Sequence, residues 1–394
     1  MYQASYIKSF SVVDIANVKA VNVHLGEKRT HLIITGRNGS GKTSILRAIH
    51  DELTEIRNTN GNIYSLRQSR EKAEVTYKLS PTPQSLSQLE MFKKFAPARV
   101  ALELSGTGFF DKKDIFIFFS ANRALEPTVP KSITPYSLPT DKGSAPEVNR
   151  LILQHLVNLK AQRAFARDEG DDNSVELIDN WFNSFEGALR EIFESSSVAL
   201  QFDRQALNFV IADKDKRYSF NTLSSGQSAI MNIYAELLLR VDAAANGNTE
   251  IGGVILIDEP ENHLHASLQK KVLAFLVQSF PQFQFIVTTH SPFILTSLQN
   301  TSILNLEDGK IYHDFSRFSY EAVLEEYMLV DKYSNDVKLQ IANIKNLIAQ
   351  NSKTEAMELL EKLLQKLESS GFSLETSSEL ALEIRTLQLS IINS

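Results

Sequence analysis

Between a short apolar run and an amphipathic segment the chain reads Gly36-Arg37-Asn38-Gly39-Ser40-Gly41-Lys42-Thr43. The glycines let successive backbone N–H groups turn toward one anion, because little side-chain bulk stands in the way. The run before it, His31 to Thr35, has no Asp, Glu, Lys or Arg and reads as a buried strand. After it, Ile45, Leu46, Ile49, Leu53 and Ile56 recur at helical spacing. Strand, glycine loop and helix form the context in which this pattern binds a polyphosphate. The helix N-terminus, around Ser44, adds its dipole. Lys42 is placed to reach the β- and γ-phosphates of ATP, and Thr43 to ligate Mg2+. Gly36 through Ser44 are thus the first candidate cofactor-binding residues, in an α/β fold of the P-loop NTPase class.

Three later stretches fit the same chemistry. Val254-Ile255-Leu256-Ile257 is a buried strand that runs into Asp258 and Glu259. Asp258 is the expected second Mg2+ contact, and Glu259 the group that polarises the attacking water. Phe285 to Thr289 is another buried strand, ending at His290, which is placed to touch the γ-phosphate from the side. Leu223-Ser224-Ser225-Gly226-Gln227 opens a helix carrying Ile230, Ile233 and Leu237. Alone, such a triplet is a helix cap; its meaning comes from its position, Gly226 standing 32 residues before Asp258.

The rest of the chain organises around these motifs. Tyr6–Ile15 and Val18–Leu25 read as partly alternating strands, and Ala73–Leu79, Arg99–Leu104 and Ile115–Ser120 as further strands. Ser80-Pro81-Thr82-Pro83 and Pro127–Gly143 read as loops. Two helical segments, Glu147–Arg167 and Ser174–Phe193, flank the polar Asp168–Asn173. Strands resume at Val198–Phe202 and Leu207–Ala212. From Tyr320 the pattern is helical. Ser352 and Glu355 suit a capping box before Leu359, Leu360, Leu363 and Leu367, and Gly371 suits a stop. The expected segments are residues 1–145, a helical insertion at 146–195, a second ATPase part at 196–310, and a helical tail at 311–394.

Composition narrows the function. The absence of cysteine excludes a disulfide scaffold, a thiolate zinc site, an iron–sulfur cluster and a cysteine nucleophile. A net charge of −6 speaks against a large nucleic-acid-binding surface, though Lys93, Lys94 and Arg99, or Lys160, Arg163 and Arg167, could form a local one. The longest charge-free stretch, Val272 to Leu306, is too polar for a membrane span, and Met1 to Phe10 has no secretory pattern. A cytoplasmic, membrane-free protein is expected. Glycine is scarce, 16 in 394 residues, and Gly36, Gly39, Gly41, Gly226, Gly252 and Gly253 sit in or beside the motifs.

In this order the motifs resemble an ABC-type ATPase head, with Ser225 in place of the first glycine of the family's signature. Asp258-Glu259-Pro260-Glu261-Asn262-His263-Leu264-His265 is similar to the non-transporter branch of RecF, SMC-type and OLD-type ATPases. So are the early strands and Phe118-Phe119-Ser120-Ala121-Asn122-Arg123. The resemblance implies an ABC head with an N-terminal antiparallel β-subdomain, a helical insertion and a helical C-terminal tail, without a coiled coil or Toprim nuclease domain. It implies a homodimer or higher oligomer in which ATP and Mg2+ are sandwiched between the phosphate loop of one chain and Ser224–Gln227 of the other. Lys42, Glu259 and His290 are then the catalytic residues, and Thr43 and Asp258 the metal ligands. His263 and His265 take an interface or structural role. No glutamine fits the family's Q-loop, and Asn122 and Arg123 stand in that region.

Compact heads of this branch work beside a separately encoded nuclease or other effector, as in bacterial anti-phage systems resembling Septu. Two alternatives stay open from the sequence. One is a repair ATPase that binds DNA directly, which a salt-dependent binding assay with and without ATP would separate. The other is a transporter's ATPase subunit, against which the His-Leu-His stretch argues.

Overall fold

The computed structural model describes residues 4–93, 95, 99–105, 114–134, 148–246, 251–324, 335–350, 352–369 and 379–393. Two compact units emerge, Met1–Tyr320 and Glu321–Ser394. In the first, β1 (Ile7–Ile15) and β2 (Val18–His24) form an antiparallel hairpin. Next come β3 (His31–Thr35) and α1 (Lys42–Asn58). Helices α2 (Ile63–Leu79) and α3 (Pro83–Phe92) precede β4 (Val100–Leu104), which pairs with the free side of β1. β5 (Asp114–Phe119) follows, then the insertion helices α4 (Ile152–Glu169) and α5 (Asp172–Ile192). A meander of β6 (Ala199–Asp203), β7 (Asn208–Asp213) and β8 (Lys216–Ser219) leads into α6 (Ser225–Asn246). The unit ends with β9 (Gly252–Asp258), α7 (Ala266–Ser279), β10 (Phe283–Thr289), β11 (Thr301–Asn305) and β12 (Lys310–His313).

The central sheet runs β12-β11-β3-β10-β9-β5, parallel except for the β11–β12 pair. β9, β10 and β11 are buried at every residue, as strands covered on both faces must be. This explains why Val254–Ile257 of β9 and Phe285–Val287 of β10 read as apolar runs rather than alternating ones. α1 buries Ile45, Leu46, Ile49, Leu53 and Ile56 against Leu32, Ile34, Val254, Leu256 and Ile286. The same core takes in Ile7, Phe10 and Val12, so the antiparallel sheet and the central sheet share it. The register sets Thr35 beside Thr289, and Thr288 beside Asp258. The phosphate loop, the acidic pair and His290 therefore leave the sheet along one edge. This is the layered α/β arrangement expected of an ABC-type head.

Three expectations need correction. Ala73–Leu79 is not a strand but the last turns of α2. Its apparent alternation misleads: Ala73 is buried, but Val75 and Leu79 are exposed, and the Arg-Glu-Lys-rich run before them favours helix. Pro83 does not close a loop. It opens α3, with Thr82 as N-cap in a reciprocal capping box with Ser85. Helix does not begin at 311, because β12 pairs antiparallel with β11 there and the first compact unit continues to Tyr320. No described helix is long and apolar enough to cross a membrane.

The second unit holds α8 (Asn335–Ala349), α9 (Lys353–Ser369) and α10 (Glu379–Asn393). These helices bury Ile341, Ile344, Leu360, Leu363, Ile384, Leu387 and Ile391 on one another. Ser352 takes the first helical bond of α9, from the N–H of Ala356, at the N-cap position expected for it. Lys94, Glu147, Gly371 and the loop after residue 134 lie outside the described residues.

Candidate active site

The phosphate loop leaves β3 at Thr35 and closes at Gly41, whose carbonyl accepts the Ile45 N–H at 2.9 Å and so starts α1. Gly41 has φ +103°, a left-handed value that a residue with a Cβ resists. No side chain caps α1, so its N-terminus stays open to an anion. Asn17 donates to the Gly39 carbonyl at 2.6 Å, and the Arg37 N–H donates to Glu307 at 2.6 Å. Asn38 and Ser44 are exposed beside the loop.

Lys42 is only 5% exposed. Its ammonium donates to the Gly36 carbonyl at 2.9 Å and the Arg37 carbonyl at 3.1 Å, and lies 2.5 Å from His290 Nε2. Burial lowers the Lys42 pKa, against the pull of Glu259, Asp258, Glu261 and Glu307. Burial and the Lys42 charge together lower that of His290. Burial and the neighbouring Lys42 charge thus both disfavour a second positive charge on His290. Ser40 Oγ is buried near Gly36 with no partner.

Thr43 donates its hydroxyl to Asp258, 3.0 Å from each carboxylate oxygen. Asp258 also accepts from the Thr288 hydroxyl at 2.5 Å, a pairing set by the β9–β10 register. Glu259 follows with φ +48°, its N–H on the Thr288 carbonyl at 3.1 Å. A non-glycine residue held there is strained, which is common where a turn aims a functional side chain.

Arg123 underpins that turn. Its guanidinium donates to the carbonyls of Ser120 (2.8 Å), Asp258 (2.9 Å) and Glu259 (2.9 Å). Burial pushes its pKa down to about 10, against Glu261, Asp258 and Glu259. The expected Q-loop region thus holds an arginine that grips backbone; the Asn122 carbonyl accepts from Ser120. The next two residues reach the helix of the second motif. The Leu125 N–H donates to Ser228 at 2.8 Å, and Asn232 donates to the Ala124 carbonyl at 2.8 Å.

In that motif Ser224 and Gln227 cap α6 reciprocally. Ser224 donates to Gln227 Oε1 at 2.9 Å, and the Gln227 N–H returns to Ser224 Oγ at 3.3 Å. Ser224 and Ser225 are exposed. Gly226 is buried, and a Cβ on it would stand 2.7 Å from the His263 carbonyl. Backbone approach, not conformation, demands glycine there. The His263 carbonyl lies against Gly226, and the His265 carbonyl takes the first bonds of α7. Among the described residues no cluster of three or more His, Cys, Asp or Glu side chains could hold a metal. Lys42, Thr43, Asp258 and His290 come together in one chain, but no hydrogen bond among the described residues joins Ser224–Gln227 to residues 36–44. α6 is held at its far end too, where Asp242 accepts from Trp181 at 2.7 Å and lies 2.9 Å from His155 of the insertion.

Sequence reasoning missed the roles of Thr288 and Arg123. Thr288 stands next to a motif residue and could have been found from strand pairing. In the sequence Arg123 is marked only by its place in the chain.

Residues 92–296, about half of the chain, match the family model described as "AAA domain, putative AbiEii toxin, Type IV TA system". That span contains Arg123, Ser224–Gln227, Asp258, Glu259 and His290, and excludes the phosphate loop. The chain is 27% identical over 204 residues to the Retron Ec83 probable ATPase of Escherichia coli, covering 51% of this chain and 36% of that protein. It is 26% identical over 290 residues to the Septu protein PtuA of Bacillus mycoides (strain KBAB4), covering 68% and 35%. The matched stretches thus span about a third of these relatives' length. A solved SMC head bound to the C-winged helix domain of ScpA overlays with a TM-score of 0.37 at 14% identity, over 78% of this chain and 97% of that one.

Proposed function

The chain belongs to this AAA-domain family, and from that premise we propose that it is an ATPase whose chains pair on ATP and separate after hydrolysis. The observation that carries the reading is the convergence of Lys42, Thr43, Asp258 and His290 along one sheet edge. The residues fit ATP and Mg2+. Thr43 Oγ and the Asp258 oxygens are 3.0 Å apart, close to the ~2.9 Å between adjacent corners of an octahedron with 2.0–2.1 Å arms. Thr43 and Asp258 would hold the metal, which supplies charge neutralisation at the phosphates. Lys42 exchanges the Gly36 and Arg37 carbonyls for phosphate oxygens, and Ser40 Oγ gains a partner. Glu259, aimed by its left-handed turn, orients the attacking water and accepts its proton. His290 presents Nε2 beside Lys42 and the γ-phosphate.

The partner in this reading is a second copy. Ser224 and Ser225 are exposed at a capped helix N-terminus that makes no hydrogen bond to its own phosphate loop, so the second anion site is free for another chain's nucleotide. ATP then joins two chains and its hydrolysis releases them. The similarity to a retron ATPase and to Septu PtuA supports a defence role beside a separately encoded effector. Direct DNA binding has less support: Arg163 pairs with Asp179, and Lys160 lies over the Phe182 ring.

The test is ATP turnover and light scattering of the purified protein and its Glu259→Gln variant. ATP-dependent dimers that persist only in the variant support the reading. Turnover by the variant at the native rate overturns it.

A further inference from the structure

Two residues beyond Glu259, a third carboxylate enters the site. Glu261 Oε1 accepts from the Thr289 hydroxyl at 2.5 Å and from the His290 N–H at 2.8 Å. Its other oxygen is buried with no partner. β10 ends at Thr289, so the His290 N–H is the first backbone donor beyond the described ladder. A buried N–H without an acceptor is costly, and a loop residue placed there without one would turn toward water. Glu261 removes that freedom. The peptide it holds is the one from which the imidazole reaches Lys42.

We infer that Glu261 is a positioning residue for the reaction: by holding Thr289 and the His290 N–H on one oxygen, it keeps the His290 imidazole against Lys42 and the γ-phosphate. The inference rests on the ATPase reading above. Glu261 works as an acceptor through a single oxygen, whereas Glu259 works as a base. Burial raises the Glu261 carboxyl above its ordinary range, with the Thr289 and His290 donors opposing. An amide keeps the accepting oxygen and resembles the neutral acid. The two carboxylates therefore separate by their response to the same isosteric change.

The experiment measures kcat, KM and fluorescent ATP-analogue affinity on the full chain for Glu261→Gln, Glu261→Ala, Glu259→Gln, His290→Ala and the double variant Glu261→Ala/His290→Ala. Glu261→Gln should keep kcat within about threefold. Glu261→Ala should lose about tenfold or more in kcat, with analogue affinity within about threefold. The double variant should be no slower than His290→Ala alone, because a residue acting through another adds nothing once that other is gone.

Three results overturn the inference: native kcat in Glu261→Ala, a loss in Glu261→Gln as large as in Glu259→Gln, or independent losses that multiply in the double variant. A merely structural role would give the multiplying result. If Glu261→Ala does not fold, Glu261→Gln still decides. A wild-type protein without ATP turnover would fail the ATPase reading itself, whereas normal turnover in Glu261→Ala of a working enzyme fails only the positioning role.

Discussion

Thr43 donates to both carboxylate oxygens of Asp258, although 215 positions separate them in the chain. Parallel pairing of β3, β10 and β9 makes this possible, since it brings the ends of distant strands to one edge. Substituting Asp258 by Asn should keep the hydroxyl contact but remove the charge a divalent cation needs. ATP-analogue affinity, measured with Mg2+ and with EDTA, should differ by about tenfold or more in the native protein, about 1.4 kcal/mol. In Asp258→Asn the difference should disappear. An undiminished Mg2+ effect would remove Asp258 from the metal site.

Glu259→Gln should lower turnover by about 10²- to 10⁴-fold, the range expected for loss of a positioned base. ATP binding should remain. Sedimentation should then find a dimer that outlasts the native one after ATP addition.

Ser224 is exposed at the start of α6, and its cap with Gln227 is local. Ser224→Arg should leave ATP affinity of the single chain within about threefold while preventing ATP-dependent association. The added charge and bulk would stand where the other chain's phosphates approach. A dimer of native strength by light scattering would show that this helix end faces elsewhere.

Gly226→Ala places a methyl 2.7 Å from the His263 carbonyl, a backbone atom that cannot swing aside. Overpacking of this kind costs about 1–3 kcal/mol. The urea midpoint should fall accordingly, and ATP-dependent association with it. An unchanged midpoint would mean that the 263–265 turn yields easily.

His31 supplies a pH dependence. Its Nδ1 accepts the Phe285 N–H at 3.1 Å, which requires a neutral ring. Burial, and then the Arg29 charge, pushes its pKa down to about 4. The unfolded chain, with His near 6.5, binds the proton first as pH falls. Stability from this residue is therefore fully present above about pH 6.5 and is lost as pH falls toward 4. At pH 5 the loss should be about 2 kcal/mol. Unfolding of wild type and His31→Asn at pH 7.5 and pH 5 checks this; the variant should lose less on acidification.

The site was legible where its residues are contiguous. The phosphate loop, the acidic pair and His290 each sit at the end of an apolar run, and that run is the strand that carries them. What pairing assembles was not legible. Arg123 meets Asp258 and Glu259 only because β5 lies beside β9. No local spacing announces that neighbour. α2 was hidden because Ala73, Val75, Tyr77 and Leu79 alternate with polar residues and imitate a strand, although Val75 and Leu79 face solvent on a helix. β8 was hidden for the opposite reason: Lys216-Arg217-Tyr218-Ser219 has almost no apolar face, and its partner β7 defines it.

α6 is gripped along its length by the 120–125 segment at Ser228 and Asn232, by Asn149 at Glu236, and by the insertion at Asp242. Its 22 residues make a rod about 33 Å long. Held at these points, the rod ties the helical hairpin at one end to Ser224 at the other. A tilt of about three degrees about Asp242 would move Ser224, about 27 Å away along the helix, by about 1.4 Å, enough to lengthen a hydrogen bond beyond its normal range. The insertion and the exposed Ser224 thus share one stiff element, so a shift of the hairpin at Asp242 would have a rigid path to the capped end of α6.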